Sequence, residues 1–226
     1  MVERPPHYGD RIAVDQQEGG GSPTVIYPGN GVAVSVLVIA ALFVLTQLYA
    51  AIPLLGPVGI SMEADATFAL STCFSVTYAV GFLIWGPISD RYGRKKVMTA
   101  SIGVLAVVTL LCSGASSLPI LAGLRALQGA AASGFAPVAL AYLTEAVAPR
   151  WRARAIGAMS AAFLVAGIFG QVLASTIALR ASWSWFFVVC GVVLAMIFTI
   201  ILFSVVEVPN HTPSMTLLQQ FGNLVG

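Results

Sequence analysis

Asp90 is an acid standing where a helix prefers a base. In the run Gly86-Pro87-Ile88-Ser89-Asp90-Arg91-Tyr92-Gly93-Arg94-Lys95-Lys96 it falls at the expected C-terminal end of one apolar stretch, just before the next begins. A helix C-terminus carries partial negative charge and disfavours a carboxylate by about 0.3–1 kcal/mol. Asp90 therefore calls for a partner, either a neighbouring guanidinium or the N-terminus of another helix. Glu145 poses the same problem at the end of a later apolar run, with Arg150 just beyond it.

Arg125 is the one charge deep inside an apolar run, with Gln128 a turn further on the same face and Gly129 after it. A central Arg costs ~2.5–3.5 kcal/mol on membrane-insertion scales and usually faces a cavity. The alternative is an Arg near a helix end, with Leu118 about two turns away, that snorkels to the headgroups. Thr46, Gln47, Tyr49, Tyr78 and Gln171 are further polar groups within apolar runs; each alone is more often a satisfied interhelical hydrogen bond than a ligand. Cys73, Cys112 and Cys190 sit inside apolar runs and do not suggest a disulfide framework. His7 and His211 lie in the flanks, and no His, Cys, Asp or Glu cluster has ligand spacing, so no metal and no cofactor is expected. Six spans and Ala131-Ala132-Ser133-Gly134 bear a faint likeness to a membrane serine protease, but no span holds a histidine to activate the serine, so the chain is not read as an enzyme. No nucleic-acid partner is expected.

The elements that must position these residues belong in lipid. Of 226 residues 58% are hydrophobic and 9% charged, against about 25% charged in a soluble domain, too few to clothe a water-facing surface. Residues 1–31 are polar, with Gly19-Gly20-Gly21-Ser22-Pro23 in their middle and more acids than bases, and read as a disordered tail rather than a signal peptide. Six apolar runs, each near the ~20 residues of a membrane helix, fill residues 32–206: Val34–Leu55, ending at Pro53, Thr67–Ile88, Val97–Ser116, Leu118–Leu143, which contains Pro137, Ala155–Leu179 and Trp185–Val206. Residues 207–226 read as a polar loop. Trp85, Trp151, Trp183 and Trp185 fall at run ends, as interfacial aromatics do.

Arg91, Arg94, Lys95 and Lys96 in the second–third loop and Arg150, Arg152 and Arg154 in the fourth–fifth loop put those loops, and both termini, on the cytoplasmic side. Fixing that topology is also the plainer account of the basic run around Asp90. Ala122, Ala126, Ala130 and Gly134 in the fourth run, and Ala158, Ala162, Ala166, Gly170 and Ala174 in the fifth, make small-residue stripes that should be packing faces. The sixth run is the most uniformly apolar and is expected to face lipid.

The order G-x-x-x-D-R-x-G-R-K over Gly86–Lys95 closely resembles the signature loop between helices two and three of the major facilitator superfamily. The pattern Leu121-x-x-x-Arg125-x-x-Gln128-Gly129 is similar to that family's fourth-helix motif, associated with the transport path and proton coupling. The likeness spans about residues 34–206. It implies an all-α membrane fold of six transmembrane helices, the N-terminal half of the superfamily fold built as 3+3 inverted repeats.

The resemblance further implies a cluster in which the signature loop meets the acidic end of helix four and latches the cytoplasmic side in the outward-open state. Carried onto this chain, Arg94 or Arg91 contacts Glu145, Gly86 allows close helix approach and Gly93 the tight loop. A loose surface pair is the plainer alternative for such a contact. The cavity of such a half is lined by its first, second, fourth and fifth helices, which places Gln47, Tyr49, Tyr78, Arg125, Gln128, Gly129 and Gln171 on the substrate or proton path. Ala162–Gln171 resembles the family's antiporter motif only weakly, since it lacks the glycines expected at Ala162, Ala166 and Gln171 and the proline expected at Gly167.

The function so implied is secondary active transport of small organic molecules by alternating access, with proton-coupled efflux as the branch it is most like. No span carries a carboxylate away from its ends, so a proton would have to titrate Asp90, Glu145 or a group on another chain. The expected setting is the bacterial inner membrane, and the expected partners are the lipid bilayer, a small-molecule substrate, protons and a second six-helix half. The other reading is a non-transporting six-span scaffold or regulator derived from a transporter half.

Overall fold

The computed structural model describes residues 13–14, 25–26 and 30–205. Among them six helical spans are long and apolar enough to cross a bilayer: Gly31–Tyr49, Phe68–Tyr92, Arg94–Cys112, Leu118–Ala146, Pro149–Arg180 and Ser184–Ser204. They are built from α1 (Asn30–Tyr49), α2 (Ala51–Met62), a π-helical turn (Phe68–Thr72) running into α3 (Cys73–Tyr92), α4 (Arg94–Cys112), α5 (Leu118–Ala132), α6 (Ala136–Ala146), α7 (Pro149–Arg180) and α8 (Ser184–Ser204). In the stretch expected to be a disordered tail, Ala13–Val14 and Val25–Ile26 pair as a short antiparallel ladder. The rest of that tail before Asn30, and the expected polar loop at 207–226, lie outside the described residues.

Two spans are interrupted, and proline accounts for both. Pro53 has no N–H to give the Tyr49 carbonyl, and its ring crowds that carbonyl. The helix does not end there, as expected from sequence, but resets at Ala50 and continues as α2 to Met62. Pro137 likewise leaves the Ser133 carbonyl without its helical donor. The run expected to be continuous divides into α5 and α6, with Gly134 and Phe135 donating instead to Ala131 and Ala132 three residues back.

The basic connections are shorter than expected. Between α3 and α4 only Gly93 is non-helical, at φ 96°, a conformation that disfavours any residue with a Cβ. Asp90 and Arg94 therefore sit on facing helix ends rather than in a loop. Arg150, Arg152 and Arg154 also leave the loop assigned to them and form the first turns of α7. At the other end of the bundle the Asp65 Oδ1 accepts the Thr67 N–H at 2.8 Å, and the Thr67 side chain and N–H hold that carboxyl below the usual carboxylate range.

Packing pairs α1 with α7, α4 with α8, and α5 with both α3 and α4. One core gathers around Leu37, Met98, Phe135 and Met159 towards the Gly93 end, and a second around Leu54, Leu70, Leu121 and Phe186 towards the other end. On α7, Ala162, Ala166, Gly170 and Ala174 are buried as the small-residue stripe requires, while Ala158 is exposed and Met159 takes its place. A Cβ on Gly170 would stand 3.1 Å from the Thr46 backbone. On α5 the expected stripe is only a flank: Ala122, Ala126 and Ala130 are half-buried, and the buried face is Leu121, Arg125, Gln128 and Gly129.

Two further expectations change. The sixth span is not the most exposed; 39% of its apolar window is buried, against 17% for the spans of α3 and α7, because Phe186, Phe187, Cys190 and Leu194 turn inward. Trp85 is no interfacial anchor either. Its indole donates to the Ala130 carbonyl at 2.9 Å, just ahead of the break between α5 and α6.

Candidate functional site

Two polar constellations stand out. The first surrounds Arg125, 1% exposed between the two cores. Its Nε donates to the Leu70 carbonyl at 2.9 Å, Nη2 to the Gln47 carbonyl at 3.0 Å and Nη1 to the Gln128 Oε1 at 2.6 Å. The Phe74 ring lies under the guanidinium at 4.3 Å, a favourable cation–π distance. Gln128 passes the network on, donating to the Gln47 Oε1 at 3.1 Å and the Thr109 hydroxyl at 2.8 Å. Thr109 closes it on the Leu105 carbonyl at 2.6 Å.

This geometry removes the snorkelling alternative, since the guanidinium is turned inward and spends its donors on protein. Its acceptors are all neutral oxygens, and among the described residues no carboxylate pairs with it. Three spans supply its acceptors, and Thr109, through Gln128, brings a fourth into the network. Two of the carbonyls come from perturbed backbone: Gln47 lies three residues before the reset at Ala50, and Leu70 lies within the π-helical turn, a device common at functional sites.

The residues assigned to the substrate or proton path therefore divide. Gln47, Arg125 and Gln128 form one hydrogen-bonded unit. Gly129 packs beside it so closely that a Cβ there would run into the Phe74 carbonyl and the Thr77 hydroxyl. Tyr78 stacks on Phe74 at 5.9 Å, one ring removed from Arg125. Tyr49 lies by Gly167 of α7, at the edge of the unit. Gln171 stays apart, exposed and donating to the Gly167 carbonyl of its own helix at 3.0 Å. The sequence reading missed Thr109 and Phe74. Thr109 shares the third span with two other hydroxyls, Thr99 and Ser101, so the sequence does not single it out, and nothing marks Phe74 among twelve phenylalanines.

The second constellation is at the Gly93 end. Arg94 makes a bidentate pair with Glu145 at the end of α6, Nε to Oε2 at 2.7 Å and Nη2 to Oε1 at 2.7 Å. The same Nη2 lies 3.2 Å from the Asp90 Oδ1. One guanidinium thus answers both carboxylates that the helix dipoles disfavour. Lys95 donates to the Leu202 carbonyl in the last turn of α8 at 3.2 Å, where a cation suits the dipole. Arg91 is exposed and lies 5.6 Å from the Tyr92 ring, and Arg150 is exposed with no ion pair among the described residues. Gly86 does not serve the close approach expected of it, because a Cβ there would meet nothing within 4 Å. Gly81 against Ser133 and Gly134 against Ser101 and Trp85 make such close approaches instead.

Comparison with known proteins adds the following. The family model described as Major Facilitator Superfamily matches residues 34–220. An uncharacterized transporter of Buchnera aphidicola subsp. Schizaphis graminum is 35% identical over 127 residues, 56% of this chain and 30% of that protein. The multidrug export protein EmrB of Haemophilus influenzae is 32% identical over 116 residues, 51% of this chain and 23% of that one. Among solved structures, a bacterial homolog of the human lysosomal transporter Spinster, inward-facing and occupied, superposes with a TM-score of 0.72 at 18% identity, covering 83% of this chain and 46% of that chain. The matched part spans less than a third of those two relatives and under half of the solved transporter.

Proposed function

Since the chain belongs to the major facilitator superfamily, a family of multi-pass membrane transporters, we propose that it moves small organic molecules across the membrane by alternating access, together with a second six-helix half. The observation that carries this reading is the bridge from Asp90 through Arg94 to Glu145, which ties the α3–α4 corner to the end of α6. Such a bridge favours one arrangement of the inner ends, and removing it shifts the balance towards the other. Arg91, Gly93, Lys95 and Arg150 flank it, and we assign them supporting places in the same switch.

The half-buried Tyr49 and Tyr78 are proposed to line the substrate path, with the buried Arg125 unit behind them. The two basic helix ends then lie in the cytoplasm, both termini with them, in a bacterial inner membrane. The likeness to a multidrug export protein supports efflux, and proton coupling would use Asp90 or Glu145, since Glu63, Asp65, Asp90 and Glu145 are the carboxylates among the described residues and all stand at span ends. The second reading is a non-transporting six-span scaffold or regulator.

Flux assays in vesicles separate the two readings. A transporter half, supplied with a second six-helix half, moves substrate, and Arg94→Ala changes the flux sharply while membrane insertion stays intact. Flux absent with every supplied half would favour the scaffold; flux indifferent to Arg94→Ala would remove the switch.

A further inference from the structure

Where α1 and α7 begin, side by side, they leave a groove of about 460 Å³. Its floor is apolar, formed by Val34, Val147, Ala148 and Ala155, and its rim carries Trp151 and Arg154. The Arg154 guanidinium lies 4.6 Å over the Trp151 ring. Arg150 is exposed a turn away, whereas Arg152 gives its Nε to the Val147 carbonyl at 2.9 Å. Among the described residues no carboxylate pairs with any of these three arginines; the ion pairs there belong to Arg94. The three cations also crowd the end of α7 where the dipole is already positive.

The helix end itself has little to give an anion. Pro149 has no N–H, and the amides of Trp151 and Arg152 are already bonded to the Ala148 carbonyl at 2.8 and 3.2 Å. Any anion here is held by side chains. We propose that the groove binds an anionic glycerophospholipid, its phosphate on Arg154 and Arg150 and an acyl chain along Val34, Val147 and Ala155. A soluble anion would satisfy the rim alone and an apolar solute the floor alone, whereas this lipid satisfies both and is at hand wherever the chain spans a bilayer. An Arg stacked on a half-exposed Trp at the end of an apolar span is the amphipathic pair that settles at headgroup depth, and basic pockets between membrane helices recognise such headgroups. The inference rests on the membrane setting and not on the transport reading, so its failure would leave that reading standing.

Native mass spectrometry of the full chain in a non-ionic detergent tests it, with phosphatidylglycerol and phosphatidylcholine of identical acyl chains as probes. Phosphatidylglycerol should be retained about fivefold more, the weight of one cation near an anionic surface. Arg154→Gln should diminish the preference and Arg154→Gln with Arg150→Gln abolish it, Arg154→Lys should keep it, and Arg180→Gln, at the far end of α7, should behave as the parent chain. Equal retention of the two lipids, or an undiminished preference in Arg154→Gln, overturns the proposal. So does a preference that emerges only after residues 1–29 are deleted, which would give the groove to the chain's own acidic N-terminal segment.

Discussion

Inside a bilayer-spanning bundle a guanidinium can be tolerated only if its donors are used, and Arg125 uses them on Leu70, Gln47 and Gln128. Replacing it by Lys keeps the charge but cannot fan out to three acceptors, so buried oxygens are left bare at about 1–3 kcal/mol each. Arg125→Lys should therefore lower the thermal unfolding temperature in detergent markedly; an unchanged transition would mean these bonds contribute nothing to the fold. Glycines give a second comparison at this scale. Gly129→Ala forces a methyl into the Phe74 carbonyl and the Thr77 hydroxyl, an overpacking of about 1–3 kcal/mol. Gly86→Ala enters open space and should stay within about 0.5 kcal/mol of the parent. The same thermal measurement ranks the pair, and equal effects would contradict the packing described. Composition showed that Arg125 had to be buried or snorkel. It could not show the acceptors, because two are backbone carbonyls, nor which glycine faces a neighbour, because that depends on the rotation of α3 against α5.

At the scale of elements, the interruptions matter more than the spans. The positions of Pro53 and Pro137 are plain in the sequence, yet the outcome of each is not. A proline three residues into a new helical segment resets the helix and lets it run on, so the first run did not stop where hydropathy and Pro53 suggested. The break before Pro137 puts the Ala130 carbonyl within reach of Trp85, which is why a tryptophan that reads as an interfacial anchor instead joins two spans. The basic corners were misjudged for a related reason: charge was taken to mark loop, but Gly93 alone makes the first turn and the arginines of the second continue into α7. Segments short of helical hydrogen bonds should open first. Amide exchange at Gly134 and Phe135, whose N–H groups reach only three residues back, should therefore be faster than in α5 on one side and α6 on the other. Pro137→Ala, which restores the missing donor, should slow it. Exchange as slow in the parent as in its flanks would argue against a break.

For the whole molecule, the proposed switch asks a contact of modest strength to govern a large motion. The Arg94 side chain is 18% exposed, with Glu145 at 40% and Asp90 at 34%, so solvent screening leaves the bridge worth about 1 kcal/mol even with bidentate geometry. That is too little to hold the bundle together, which the two cores do. It is enough to change the ratio of two nearly balanced states about fivefold. A latch of this kind should therefore show in function far more than in stability. Arg94→Glu and Glu145→Arg should each leave the unfolding transition within a few degrees of the parent while altering flux in vesicles supplied with a second half. Combined, the exchanged charges restore the α4–α6 pair, but Glu at 94 then faces Asp90 four residues away on the adjoining helix end, a like-charge repulsion. Recovery of flux should be partial in the double variant and fuller when Asp90→Asn is added. A double variant no better than either single change, in protein that inserts and unfolds normally, would show that the Asp90–Arg94–Glu145 bridge is not the switch of the proposed alternating access.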